Sequence, residues 1–113
     1  RHGQSKSDLM AAEADRIRKA IPKGSLLVTL DERGKDLTTV NFAKKLSAWQ
    51  DSGESVAFVI GGTDGIDPEL KKESRMMIRL SSMTLPHALA RVILSEQIYR
   101  AWSILNNHPY HRA

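Results

Sequence analysis

The chain has 113 residues, 41% hydrophobic and 27% charged, with 17 Lys and Arg against 13 Asp and Glu for a net charge of +4 at pH 7. These values describe a single folded domain over residues 1–113, exclude a disordered chain, and give only a mild attraction to polyanions. The lack of cysteine excludes a disulfide scaffold and a thiolate metal site and suits a reducing cytoplasm, and no apolar run approaches the ~20 residues of a membrane span.

Residues 5–21 read as an amphipathic helix. Met10, Ala14, Ile17 and Ile21 form one stripe of a 3.6-residue period. Ser5 or Ser7 can cap its start, and Pro22-Lys23-Gly24 ends it. Ser25 to Leu30 is a continuous apolar run of strand length, which implies cover on both faces, as in a parallel sheet. Asp31 to Lys35 reads as a polar turn. Thr38 or Thr39 then caps a helix that places Phe42, Leu46 and Trp49 on one face, and Gly53 closes it. A second apolar strand, Ser55 to Ile60, leads into Gly61-Gly62-Thr63-Asp64-Gly65. A short helix follows, with Asp67 at its N-cap and Pro68 at its first position. Met76 to Leu80 makes a third strand, and a long helix runs from about Pro86 to Leu105. Strands alternating with helices predict an α/β domain with a mostly parallel sheet. The chain opens Arg1-His2-Gly3 and three strands are few for such a sheet, so a processed or truncated N-terminus is expected.

In open α/β sheets, ligands bind beyond the carboxyl ends of the strands. Three loops qualify here: Leu30-Asp31-Glu32, Ile60-Gly61-Gly62 and Leu80-Ser81-Ser82. The glycines of "GGTDG" allow close backbone approach to a ligand, but they match neither the dinucleotide fingerprint nor the P-loop. A plain strand-to-helix turn accounts for them equally well. "LSSMTLPH" leaves a strand and stays irregular up to Pro86. Its apolar Met83 and Leu85, set among free amides and hydroxyls, suit a flat heterocycle such as adenine, and a packed connector is the simpler alternative.

The last helix carries two apolar stripes. Leu89, Val92, Ile93 and Tyr99 lie on one side, Leu94, Ile98, Ala101 and Leu105 on another, with Trp102 between them. The first is expected to meet the sheet and the second a partner subunit, most simply in a homodimer. Glu96 stands one turn before Arg100. In the tail, His108 and His111 lack the third ligand of a zinc site, so no metal is expected. A tail of His108, Tyr110, His111 and Arg112 is either a frayed end or an RNA contact through ring stacking and phosphate pairing.

Taken in order and spacing, "LDERGK", "VIGGTDG", "LSSMTLPHALARVILSEQIYRAW" and "NNHPYHR" resemble the SPOUT-class methyltransferases that act on pseudouridine in large-subunit ribosomal RNA. The resemblance runs from about Ser25 to the end, and the last motif is the most specific. It implies a knotted α/β fold, with a C-terminal trefoil, and a homodimer through the C-terminal helix. It also implies S-adenosylmethionine as cofactor and methylation of a ring nitrogen of pseudouridine on the ribosome. By motif, Leu30, Asp31, Gly62, Ser81, Ser82, Met83, Thr84, Leu85 and Pro86 would hold the cofactor. His108, Tyr110, His111 and Arg112 would approach the nucleotide, with a histidine handling the proton, Arg112 gripping base or phosphate and Tyr110 stacking. Family members carry a further strand, helix and strand at the N-terminus, so this chain is expected to be partial there. A non-catalytic dimeric RNA-binding module of the same fold is the alternative, and a flavodoxin-like phosphate-binding domain rests on "GGTDG" alone.

Overall fold

A computed structural model describes residues 5–61 and 65–110. The elements in order are α1 (Lys6–Ala20), β1 (Leu26–Asp36), α2 (Thr39–Asp51), β2 (Val56–Ile60), α3 (Pro68–Lys72), β3 (Met76–Arg79) and α4 (His87–Leu105). The sheet has the order β2-β1-β3, and both pairings are parallel. Among the described residues no helix is long and apolar enough to cross a membrane.

Local chemistry sets the boundaries. Ser5 caps α1 through a capping box with Asp8, satisfying amides that the first turn leaves unpaired. Thr38 caps α2 by accepting from the Asn41 amide, and Asp67 caps α3 ahead of Pro68. Gly53, at φ 73°, supplies the left-handed turn after α2.

The alternation of side chains along the strands sorts the core into two layers. Leu26, Val28 and Leu30 of β1 face α2 and α4, where they pack with Phe42, Trp49, Leu94 and Ala101. Leu27 faces the other way and joins Val59, Ala14, Ile66 and Leu70, so that α1 and α3 cover the opposite face. Residues 26–30 are all buried, as the continuous run requires of a central strand. β2, read from the sequence as an equivalent strand, is only half-covered, because it stands at the edge of the sheet.

Two expectations are corrected. Asp31 to Lys35 is not a turn that ends the strand. Both Leu30 and Lys35 pair with Ile78, so the chain bulges out over residues 31–34 and rejoins β3 through Asp36 and Arg79. Gly34 makes this possible: a Cβ there would stand 2.6 Å from the Ile78 carbonyl carbon. The stripes of α4 are also exchanged in large part, although Ile93 of the first is half-buried and Leu105 of the second is exposed. Leu94 and Ala101 face the core, while Leu89, Val92, Tyr99 and Trp102 are exposed. Small Ala90 and Ala101 let α4 approach its neighbours, whereas the bulkier stripe is turned outward.

Candidate functional site

The three loops that follow the strands do converge. With both pairings parallel, the ends of β1, β2 and β3 open on one side and line a cleft of about 820 Å³. Its apolar wall comes from Leu30, Ile60, Leu80, Leu85 and Pro86, and its polar rim from Asp31, Ser81, Thr84 and His87. The bulge after Leu30 swings Asp31, Glu32 and Arg33 into this space rather than along the sheet.

Asp31 is held from two directions. One carboxylate oxygen accepts the Arg33 amide at 2.8 Å, which shapes the bulge. The other meets the Lys71 ammonium at 2.8 Å, with the Asp31 side chain only 9% exposed. Burial pushes the carboxyl up, but the Lys71 and Arg33 hydrogen bonds and their charges outweigh it and hold Asp31 below its ordinary value. Asp31 is therefore a carboxylate at neutral pH. Arg79, at the far wall, is engaged by Asp36, its Nε donating to Oδ1 at 2.8 Å.

The loop from Ser81 to Pro86 has no regular structure. The Ser81 hydroxyl accepts the Met83 amide at 2.9 Å and folds its first residues. Met83 is 75% exposed although it lines the cleft, so its thioether is available to cover a ligand. Pro86 is the N-cap of α4 and gives no side-chain cap, which leaves first-turn amides for a ligand's acceptors. Next to it, His87 Nδ1 lies 2.7 Å from the Gly61 carbonyl oxygen.

Of the expected cofactor residues, Leu30, Asp31, Ser81, Met83, Thr84, Leu85 and Pro86 line the cleft. Ser82 is exposed and does not line it. Gly62 lies outside the described residues, as do His111 and Arg112. Lys71 and His87 carry no role in the sequence reading. Asp31 and Lys71 are forty positions apart and share no motif, so only the fold pairs them. His87 is signalled only by its place after Pro86.

His108 and Tyr110 are not brought to the cleft of their own chain. His108 and Tyr110 follow the far end of α4, a helix of 19 residues and so about 28 Å long. There Tyr110 folds back: its hydroxyl donates to Glu96 Oε2 at 2.9 Å, and its ring covers the Arg100 guanidinium at 5.0 Å. Tyr99 meets Tyr110 edge-on at 4.6 Å and stacks with Trp102, which in turn contacts His108. Arg100 and Tyr110 hold Glu96 below its ordinary value, and Glu96 pushes Tyr110 up. Among the described residues no group of three or more His, Cys, Asp or Glu could hold a metal ion.

Residues 1–111 match a family described as "Predicted SPOUT methyltransferase". The chain belongs to the SPOUT methyltransferases. It is 60% identical over 111 residues to the "Ribosomal RNA large subunit methyltransferase H" of Burkholderia ambifaria (strain MC40-6), covering 98% of this chain and 71% of that relative. The proteins of the same name from Burkholderia cenocepacia (strain J2315) and Burkholderia vietnamiensis (strain G4) are 60% and 59% identical over the same span. Membership fits the parallel α/β architecture. It also agrees with the three-loop cleft, since the strand-end rim is where an α/β sheet holds a cofactor.

Proposed function

We propose that this chain methylates a ring nitrogen of a pseudouridine in large-subunit ribosomal RNA, using S-adenosylmethionine and acting as a homodimer in the cytoplasm. The observation that carries the proposal is the cleft built from three strand-end loops in a SPOUT-family chain. Its volume falls in the range of small-molecule sites, roughly 300–1,000 Å³. Its donor set fits the cofactor. Apolar side chains and loop amides of residues 81–86 suit an adenine ring, and the Asp31 carboxylate suits a ligand carrying hydroxyls or a cationic centre.

Bound S-adenosylmethionine supplies an activated methyl group on a sulfonium. The protein's part is to bind, orient and exclude water. Leu30, Leu80 and Leu85 form the dry wall, and Ser81 and Thr84 offer hydroxyls at its edge. Orientation alone contributes about 7–11 kcal/mol to such a transfer. The ring nitrogen must also lose a proton, which His108, His111 or a water they hold accepts. Arg112 grips base or phosphate, and Tyr110 stacks.

Dimerisation joins these parts. The exposed face of α4 presents Leu89, Val92, Tyr99 and Trp102, a run of large apolar groups that a second copy would bury. Because His108 and Tyr110 stand a helix length from their own cleft, they serve the cleft of the partner. Calorimetry with S-adenosylmethionine tests the cofactor, and heat-silent titration would leave a non-catalytic RNA-binding module. Alanine at Tyr110, His111 or Arg112 should cut methylation of ribosomes while cofactor affinity holds. Undiminished turnover in all three would refute the role of the tail.

A further inference from the structure

We propose that His87 is a positioning residue, a strap that ties the end of β2 to the start of α4 and so preforms the cleft. This rests on the cofactor reading of the cleft. The ring Nδ1 lies 2.7 Å from the Gly61 carbonyl oxygen, across 26 positions of sequence. A carbonyl oxygen only accepts, so Nδ1 carries the hydrogen.

The two partners are the ends of two walls. Gly61 closes β2 and is wedged from behind, since a Cβ there would stand 2.6 Å from Ile66 Cγ1 and 2.7 Å from the Gly65 carbonyl carbon. The chain is thus closely packed beside the carbonyl that His87 reaches. His87 is the first residue of α4 and follows Pro86, whose ring restricts the backbone at the helix entry. Between β3 and that entry, residues 81–86 have no regular structure to hold them. One side-chain hydrogen bond therefore fixes where this loop ends relative to the opposite wall. Both Gly61 and His87 line the cleft, so the strap acts on the ligand's surroundings rather than on a remote surface. Without it the loop samples positions that do not bind, and apparent affinity falls by the fraction of time the cleft is formed.

The test compares His87→Ala, His87→Asn and His87→Gln by S-adenosylmethionine calorimetry, loop hydrogen exchange and ribosome methylation. Asparagine places its amide nitrogen where Nδ1 was, and glutamine places its own nearer Nε2. H87A should bind about tenfold more weakly, equivalent to about 1.4 kcal/mol. H87N should return to within about threefold of the unaltered protein and H87Q should not. Exchange of the amides of residues 81–85 in ligand-free protein should quicken in H87A and H87Q and stay slow in H87N. This measurement needs no cofactor. Unchanged exchange in H87A, or rescue by glutamine instead of asparagine, would overturn the strap. Asparagine cannot take a proton as an imidazole does, so loss of turnover in H87N with intact binding would make His87 a base and overturn the positioning role. A calorimetrically silent unaltered protein would overturn the cofactor reading and the ligand part of this inference, while exchange still judged the strap.

Discussion

The Asp31–Lys71 pair joins the β1 bulge to α3 and is open to a quantitative test. Replacing Lys71 by Met keeps the aliphatic stem and removes the ammonium, leaving the Asp31 carboxylate with the Arg33 amide at 2.8 Å. Hydrogen bonds to charged groups contribute about 1.5–3 kcal/mol, and fully exposed ion pairs about 0–1 kcal/mol. The side chains here are 9% exposed for Asp31 and 29% for Lys71, between those limits. The expected coupling, from a double-mutant cycle with Asp31→Asn, is about 1–2 kcal/mol. Urea unfolding followed through buried Trp49 measures it. The sign of the pH dependence follows from the depressed carboxyl. Its stabilisation is complete above the unfolded value of about 3.9 and is lost as pH falls through the lower folded value. The difference between the unaltered protein and K71M should therefore be steady near pH 7 and shrink in acid. A coupling under about 0.3 kcal/mol, or one that persists undiminished after Asp31 is protonated, would show that the two charges do not stabilise the fold through each other.

Gly34→Ala should cost about 1–3 kcal/mol in thermal unfolding, because the new methyl meets the Ile78 and Met77 backbone at 2.6–2.8 Å and only a shift of β3 makes room. In a Tyr99→Phe protein, Tyr110 is the sole tyrosine, and spectrophotometric titration should place its ionisation above the ordinary value of about 10. The tail contact is then fully present below that pH and lost as pH rises through the higher folded value; Glu96→Gln should bring the midpoint back down. Val92→Glu, at a position 64% exposed, should leave the fold of each subunit intact and give monomers in sedimentation equilibrium. An unaltered protein that sediments as a monomer would refute the dimer.

Much of the architecture was legible in the residues. Every helix and strand was anticipated, because caps at Ser5, Thr38 and Asp67 and the apolar runs of β1 and β2 are local signals. So was the rim on which a site would stand, since parallel strands place their carboxyl ends together whatever the loops contain. The bulge at 31–34 was not. Five polar residues look like a turn when read along the chain, and only pairing with Ile78 shows that the strand resumes beyond them.

The four helices, the strands as far as Leu30 in β1, the cover on both faces of that stretch and the two apolar sides of α4 follow from the residues alone. Periodicity and capping are properties of neighbours along the chain, so they need no partner to be read. Which side of α4 faces the core, and the meetings of Lys71 with Asp31, His87 with Gly61 and Tyr110 with Glu96, emerge only in the folded chain. These depend on the depth at which small Ala90 and Ala101 let the helix pack, and on contacts between residues distant in sequence. Burial and long-range pairing are set by the fold as a whole, and no local pattern encodes them.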